Sequence, residues 1–215
     1  MKKTLLIAFF LGCLTSFASA GMKAGITASG YELDAVGKES NGGGAADQKR
    51  SETIEGATIS LFAEYHSDYV VAVGIDIVPY DIDMGAVENK RIGNTKVVDA
   101  TNQTGTNTAS VDMQSPVTAY ILIPTESGLY LKAGYSYANL AISENITTST
   151  SYGDEEIFGK HLNIGYERDV GEMFVRAEIG ISEWDKVTVK SSSNRTSYTA
   201  DLDGTSARIS IGKAF

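Results

Sequence analysis

The last stretch of the chain, TSARISIGKAF, restricts the fold more than any other. Apolar side chains recur at every second position back from the terminal Phe215, at Ile211, Ile209 and Ala207, and mostly small or polar residues lie between them. A period of two residues is typical of a β-strand with one apolar face and one polar face. Earlier segments repeat this alternation, which predicts an all-β chain.

The predicted strands are joined by connections that are alternately long and short. The long connections are polar, and each short one is a tight turn. An even number of strands of about ten residues with such unequal loops predicts an eight-stranded antiparallel up-and-down transmembrane β-barrel. The strands are expected at about 22–28, 58–65, 69–77, 113–123, 129–137, 158–167, 173–181 and 205–215, and the long loops at 34–53, 80–110, 143–156 and 191–197.

Residues 1–20 have the pattern of a secretory signal peptide. Lys2 and Lys3 form a positive region, residues 5–14 form an apolar core too short to span a bilayer, and Ala18-Ser19-Ala20 resembles a cleavage site. We therefore predict cleavage after Ala20, with residues 21–215 forming one domain. Removing the two lysines changes the net charge from −9 to −11, which argues against a nucleic-acid partner.

Alternation alone also fits a soluble, lipocalin-like barrel in the periplasm, so other features must decide which face is outward. Aromatic residues on the apolar face cluster near the ends of the strands, as in the interfacial girdle of a membrane barrel. A soluble barrel has no need of such a ring. The predicted girdle consists of Tyr65, Tyr69, Tyr166 and Phe215 at the short-turn end and Tyr135 and Tyr137 at the other.

The opposite face carries charged residues well inside the strands. Three acids match three bases, which suits a closed interior where an unpaired charge is costly. Glycine and serine crowd the same face, as a narrow lumen requires. We predict a structural charge network in the lumen, formed by Glu64, Asp76, Lys132, Arg176, Glu178 and Arg208.

The terminal strand, with Ala207, Ile209, Ile211 and Phe215 on its apolar face, resembles the closing strand of bacterial outer-membrane barrels. Lys213 departs from that pattern, because the family usually has an aromatic or apolar residue there. Over residues 21–215 the chain is similar to the small OmpA/OmpX-type barrels of the porin family. The resemblance implies location in the cell outer membrane of a Gram-negative cell, short periplasmic turns, long extracellular loops, and recognition of the C-terminal strand by the barrel-assembly machinery. It also implies contact with outer-membrane lipid and lipopolysaccharide.

The residues that most resemble catalytic or metal-binding motifs have simpler interpretations. His66-Ser67-Asp68 contains the residue types of a hydrolytic triad, but adjacent turn residues do not converge on one substrate carbonyl. His161 has lumen parity and suits a neutral packing role. Asp81/Asp83 and Asp201/Asp203 lack the further ligands of a calcium loop. The sequence predicts no catalytic residue, no metal site and no cofactor.

These features favour a structural or cell-surface interaction role carried by the extracellular loops, with an unknown surface ligand. A narrow pore is the first alternative, disfavoured because eight strands leave a lumen that side chains just fill. A lipid A-modifying barrel enzyme is the second. We also expect the last two strands to extend beyond the membrane as a hairpin with free edges, because Asp201 and Asp203 have lipid-facing parity and a carboxylate is unfavourable in hydrocarbon.

Overall fold

The structure is a computed structural model that describes residues 21–41, 48–66, 71–91, 105–145, 153–190 and 196–215. The predicted signal peptide, Tyr69, the Ser67-Asp68 turn and the tip at 191–195 lie outside the described residues. Within the described ranges, no helix is long and apolar enough to cross a membrane. The strands are β1 (Met22–Asn41), β2 (Gln48–His66), β3 (Ala72–Ile77), β4 (Ile82–Arg91), β5 (Gly105–Pro124), β6 (Leu129–Asn145), β7 (Glu155–Val170), β8 (Met173–Lys190) and β9 (Thr196–Ala214).

These strands form one closed antiparallel barrel. Their order is β3-β2-β1-β9-β8-β7-β6-β5-β4, and pairing of β3 with β5 completes the ring. β3 and β4 are the lower and upper halves of one barrel strand, so nine segments make eight strands around the ring. The predicted eight-stranded fold is confirmed.

The ring is also closed between the two ends of the barrel chain, as predicted. β1 pairs with β9 from Lys23 opposite Ala214 to Asn41 opposite Thr196. The Phe215 amide donates a hydrogen bond of 2.8 Å to the Met22 carbonyl. Each described strand of the lower half is therefore paired on both sides, which is the condition for a β-structure to sit in hydrocarbon.

Two prolines interrupt the wall at the same height. Pro79 lies between β3 and β4, and proline has no N–H to donate to a ladder. On β5 the register shifts between Gln114 and Val117, which marks a β-bulge, and Ser115 there has φ 38°. The carbonyl of Pro116, in the same bulge, accepts a hydrogen bond from the Val78 amide. Above this level β4 pairs only with β5, and β2 from Gln48 to Ser60 pairs only with β1.

The bulge corrects one prediction about β5. Alternation placed Met113 on the outward face with Val117 and Ile121, but Met113 is 3% exposed and faces the lumen. The extra residue of a bulge shifts the side-chain parity by one, so the residues before it exchange faces. Periodicity across the bulge was therefore misleading.

The predicted long loops at 34–53 and 80–110 were too long. β1 continues to Asn41, β2 begins at Gln48, and β4 occupies residues 82–91. The outer faces of these segments are polar, and their apolar residues, such as Leu33, Ile54 and Met84, face inward, so the lipid-facing alternation stops although the backbone ladder continues. The alternation marks the part of a strand that meets lipid, whereas the strand itself is longer.

The barrel interior has two levels. The lower level, toward the short turns, holds the charged and hydroxyl-bearing side chains. The upper level, toward the long loops, is an apolar cluster of Leu33, Met84, Met113, Ala138, Leu140, Ile157, Val187 and Leu202. Because β2 and β4 share no ladder above Pro79, and β7 and β8 share none above the Gly159–Trp184 pair, this upper cluster is packed between β2-β1-β9-β8 on one side and β4-β5-β6-β7 on the other.

Candidate functional site

The outer surface of the barrel is apolar and the lower interior is charged. Outward-facing Ile179 and Ile209 are 64% and 65% exposed, whereas Glu64 and Arg176 in the lumen are 1% and 2% exposed. Exposed isoleucine around buried charge is unfavourable in water and suits a hydrocarbon surround. A soluble, lipocalin-like barrel does not fit this distribution.

The apolar belt ends at a similar height on neighbouring strands. On β8 the outward residues are apolar up to Ile181 and are followed by Glu183, and on β9 Ala207 is followed by Thr205 and Asp203. Glu183 and Asp203 are exposed and stand opposite each other in the ladder. Above this height the wall is therefore polar on its outer face.

The predicted girdle residues that the structure describes all face outward. Their exposed fractions lie between 37% and 48%, as expected for amphipathic rings at a lipid–water boundary; they are Tyr65, Tyr135, Tyr137, Tyr166 and Phe215. Ala207, Ile209 and Ile211 of the terminal strand face outward as well. Lys213 points to the lower rim, where its ammonium hydrogen-bonds Glu172 at 2.9 Å and lowers the pKa of that carboxyl.

The first cluster of lumen charges surrounds Arg176. Its Nη1 and Nη2 atoms donate to the two Glu64 oxygens at 2.5 and 2.6 Å, and its Nε donates to Glu167 at 2.5 Å. Lys23 donates to the other Glu167 oxygen at 2.5 Å. The guanidinium also lies 4.7 Å from the Phe174 ring centroid and 5.4 Å from that of Phe62. Bidentate pairing and ring stacking are the contacts for which arginine is suited.

The second cluster surrounds Glu178. Lys132 Nζ donates to it at 2.7 Å, Tyr130 donates its hydroxyl at 2.9 Å, and Arg208 Nε lies 3.5 Å from it. Arg208 Nη2 donates in turn to Asp76. All six predicted lumen residues therefore lie inside the barrel, in two clusters, with Glu64 and Arg176 in one and the other four in the second.

Two tyrosines connect the clusters. Tyr120 donates its hydroxyl to Glu64 of the first cluster at 2.8 Å, and Lys132 Nζ of the second cluster lies 4.9 Å from the Tyr120 ring centroid. Tyr130 donates to Glu178 of the second cluster, and the Arg176 guanidinium of the first cluster lies 5.5 Å from the Tyr130 ring centroid. Each ring crosses a glycine on the next strand. A Cβ at Gly74 would come within 2.4 Å of Tyr120, and one at Gly165 within 2.4 Å of Tyr130. The glycines let the rings lie flat against the wall and reach the carboxylates.

The sequence reasoning missed Lys23, Glu167, Tyr120 and Tyr130 as members of this network. Lys23 and Glu167 lie near strand ends, where a charge is normally solvated, and tyrosine on a polar face has no distinctive spacing. The available signal was that these four residues occupy lumen-facing positions of their strands. Arg176 and Glu178, two apart on β8, and Lys132 on β6 occupy such positions as well.

The structure brings a serine and a histidine together in the lumen, which the sequence reasoning also missed. His161 Nε2 and Ser136 Oγ are 2.6 Å apart, and Ser136 Oγ is 2.5 Å from Thr118 Oγ1. Among the described residues no carboxylate hydrogen-bonds His161, and Ser136 is only 1% exposed. The pair is enclosed by other lumen side chains, and the centroids of the His161 and Trp184 rings are 5.4 Å apart with the rings nearly perpendicular. His66, the other histidine, hydrogen-bonds Glu64 at 3.0 Å.

No group of three potential metal ligands occurs among the described residues. Asp201 pairs with Lys186 at 3.1 Å, and Asp83 accepts the Gly85 amide at 2.8 Å. These aspartates are solvated carboxylates on the outer face. Among the described residues, buried side chains occupy the interior at both levels.

Comparison with solved structures finds outer-membrane proteins that are similar to this chain at low identity. The outer membrane protein OprG from Pseudomonas aeruginosa is 14% identical, covers 91% of this chain and 96% of its own, and has a TM-score of 0.49. The outer membrane protein AlkL in DMPC bilayers is 13% identical, with 92% of each chain covered and a TM-score of 0.49. The outer membrane protease OmpT from Escherichia coli is 8% identical, covers 90% of this chain and 96% of its own, and has a TM-score of 0.48.

No protein-family model and no curated protein matches the sequence. The described strands form an eight-stranded antiparallel barrel with an apolar outer face, which is the fold of a small outer-membrane barrel. The identities are too low to carry the role of any residue from those proteins to this one.

Proposed function

We propose that this protein is an outer-membrane barrel in which a sealed transmembrane part anchors an interaction surface outside the cell. The buried interior is the observation that carries the proposal. Charged side chains are buried at its lower level and apolar side chains at its upper level, which supports an anchor rather than an open channel.

The part that extends beyond the belt supports the interaction role. β1 has 20 residues, β8 has 18 and β9 has 19, whereas about ten span the hydrocarbon. Eight to ten extra residues reach roughly 25–35 Å along the strand. Extended ladders of this length, polar outside and apolar inside, form a folded structure rather than a solvated tail.

The remaining features of the proposal come from the sequence. Residues 1–20 direct export and are removed. The barrel-assembly machinery recognises the outward row of the terminal strand, which consists of Ala207, Ile209, Ile211 and Phe215. Lipopolysaccharide contacts the upper end of the belt. The long-loop end then faces the outside of the cell and the short turns face the periplasm.

Orientation is tested by labelling a single cysteine. The described residues contain none, so Asp201→Cys introduces a unique thiol on the exposed outer face above the belt. A membrane-impermeant maleimide should label it on intact cells, and Glu172→Cys in a short turn should be labelled only after the outer membrane is permeabilised. The reverse pattern would contradict the proposed orientation.

Function is tested by trimming the extended hairpins. In one variant an Asn-Gly turn replaces residues 37–50, joining positions 36 and 51, which are opposite in the ladder. In a second, the same turn replaces 185–201, joining 184 and 202. Both should remain heat-modifiable on a gel, yet attachment of the expressing cells to other cells and to protein-coated surfaces should fall to the level of cells without the protein. Unchanged attachment would contradict the proposed role.

A further inference from the structure

The upper part of β2 has one edge that no described strand covers. β2 pairs with β1 along its whole length, but it pairs with β3 only from Leu61 to His66. β4, which continues the strand of β3, makes its ladder pairs with β5 alone. A gap therefore opens between β2 and β4 above Pro79.

The direction of the free backbone groups follows from one hydrogen bond. The Ile59 amide points away from β1 and donates to the Tyr80 hydroxyl at 2.5 Å, which closes the bottom of the gap. Backbone groups alternate between the two edges of a strand, so the residues at every second position above Ile59 direct their N–H and C=O into the gap. These are Ala57, Glu55, Thr53 and Ser51.

The gap begins where the apolar belt ends. Ala57 is the last apolar residue on the outer face of β2, and Glu55, Thr53 and Ser51 are exposed to solvent. Unpaired backbone groups are tolerated at this height because water reaches them, whereas in hydrocarbon each would cost several kcal/mol. An open edge of this length is a template for another strand.

The outer face along this edge is acidic. Glu55 stands directly opposite Glu32 in the β1–β2 ladder, and Asp34 stands opposite Asp203 in the β1–β9 ladder. Like charges directly opposite each other are destabilising, so a cation placed beside them relieves repulsion. Lys49 lies above this segment, beyond Ser51.

The inner side of the same edge is apolar. Ile54 packs against the upper cluster together with Ile82 of β4, and Met84 of β4 belongs to that cluster. A strand added here would place one row of side chains over the acidic outer face and the alternate row against apolar residues.

We infer that the edge Ser51–Ala57 binds an extended segment of a partner polypeptide whose residues alternate between basic and apolar. Backbone hydrogen bonds supply the docking, and the two rows of side chains supply the selection. A second copy of this chain is not the proposed occupant, because its edge carries the same acidic outer face, with Glu32 and Glu55, and would be placed beside it. The inference rests on the proposed surface-interaction role and names its mode.

The test uses the full chain in nanodiscs of zwitterionic lipid and the fluorescent peptide KVKVKVK as the probe. Control peptides are the block isomer KKKKVVV, the acidic EVEVEVE, and a fully N-methylated KVKVKVK that cannot donate backbone hydrogen bonds. The alternating basic peptide should bind at least tenfold more tightly than each control. Equal binding of the block isomer or of the methylated peptide would overturn the inference, as would no binding of the alternating peptide.

Two variants separate the edge from its charge. Thr53→Pro removes an N–H that faces the gap and leaves the β1 ladder intact, so it should weaken peptide binding about fivefold to tenfold. The matched Thr53→Val keeps the N–H, so its affinity for the peptide should stay within about twofold of the unmodified protein. Glu55→Lys should weaken KVKVKVK and strengthen EVEVEVE. Equal effects of Thr53→Pro and Thr53→Val would overturn the inference.

Hydrogen exchange keeps the test decisive if Thr53→Pro fails to fold. Bound KVKVKVK should slow exchange at the amides of Thr53, Glu55 and Ala57 in the unmodified protein, and unchanged exchange there with peptide bound would overturn strand addition. If the peptide does not bind but cell attachment still depends on the extended hairpins, this inference fails and the proposed function stands.

Discussion

At the scale of single residues, the lumen is governed by the cost of an unpaired buried charge. Glu64 is 1% exposed, and its charge is balanced by Arg176 through two hydrogen bonds of 2.5 and 2.6 Å. Removing one partner of such a pair typically costs about 3–5 kcal/mol, whereas replacing both by neutral groups costs far less. The pair therefore contributes more to specifying one arrangement of the lumen than to net stability.

A double-mutant cycle on Glu64 and Arg176 tests this reasoning. Arg176→Met alone should lower the free energy of unfolding by about 3–5 kcal/mol, and Glu64→Gln added to it should restore part of the loss. Urea unfolding in lipid vesicles, followed by the fluorescence of the chain's single tryptophan, Trp184, measures both. A double variant less stable than Arg176→Met would exclude the pairing as the cause.

The same cycle on Glu178 and Arg208 is the matched comparison. Arg208 Nε lies 3.5 Å from Glu178, which keeps Lys132 and Tyr130 as partners when Arg208 is removed. We therefore expect a coupling at the lower end of the range of about 0.5–3 kcal/mol for contacting residues. Full additivity at this pair would show that Arg208 acts on Asp76 alone.

Tyr130 reaches Glu178 only because residue 165 is glycine. Gly165→Ala would place a Cβ within 2.4 Å of the Tyr130 ring, so the ring must move and Glu178 loses its hydroxyl partner. We expect a loss of about 1–3 kcal/mol of unfolding free energy in the same urea assay. Ala177→Gly, on the outward face of β8, should change stability by about 1 kcal/mol or less.

At the scale of strands, the sequence predicts the lipid-facing segments well and their upper continuations poorly. Alternation identified each spanning segment from Ile26 to Ile211 because lipid and lumen impose opposite polarity on alternate residues. Above the belt the outer face is polar and the few apolar residues, such as Ile54 and Met84, face inward, so β4 and the upper part of β2 had no lipid-facing alternation to identify them. The sequence also predicted a free edge on both strands of the last hairpin. That prediction is wrong for β9, which is covered by β1 to its end, whereas β8 pairs with β7 only up to Trp184.

The bulge on β5 is the element that makes both levels of the interior compatible. Deleting Ser115 should exchange the faces of the residues that precede it, turning Met113 outward and Gln114 inward. We expect that variant not to assemble, as shown by loss of the heat-modifiable form. Ser115→Gly should assemble normally, because glycine accepts the φ of 38° without strain.

At the scale of the whole molecule, the two interior levels obstruct the lumen in series. The lower level is held by Arg176, Glu178 and their partners, and the upper level by the apolar residues between the two sides of the wall. Ions crossing the barrel must pass both, so removing one obstruction leaves the other in place.

Planar-bilayer recordings should therefore show a specific pattern. The unmodified protein is expected to give no stable conductance. The variant Glu64→Ser/Arg176→Ser/Glu178→Ser/Arg208→Ser, which removes four charges of the lower level, should give none either, and nor should Met113→Ser/Leu140→Ser/Leu202→Ser, which removes three apolar side chains of the upper level. Only the combined variant should conduct, because an eight-stranded lumen is closed by its side chains and not by its backbone. Steady conductance from the unmodified protein, or from the variant with the upper cluster intact, would contradict obstruction by the upper level.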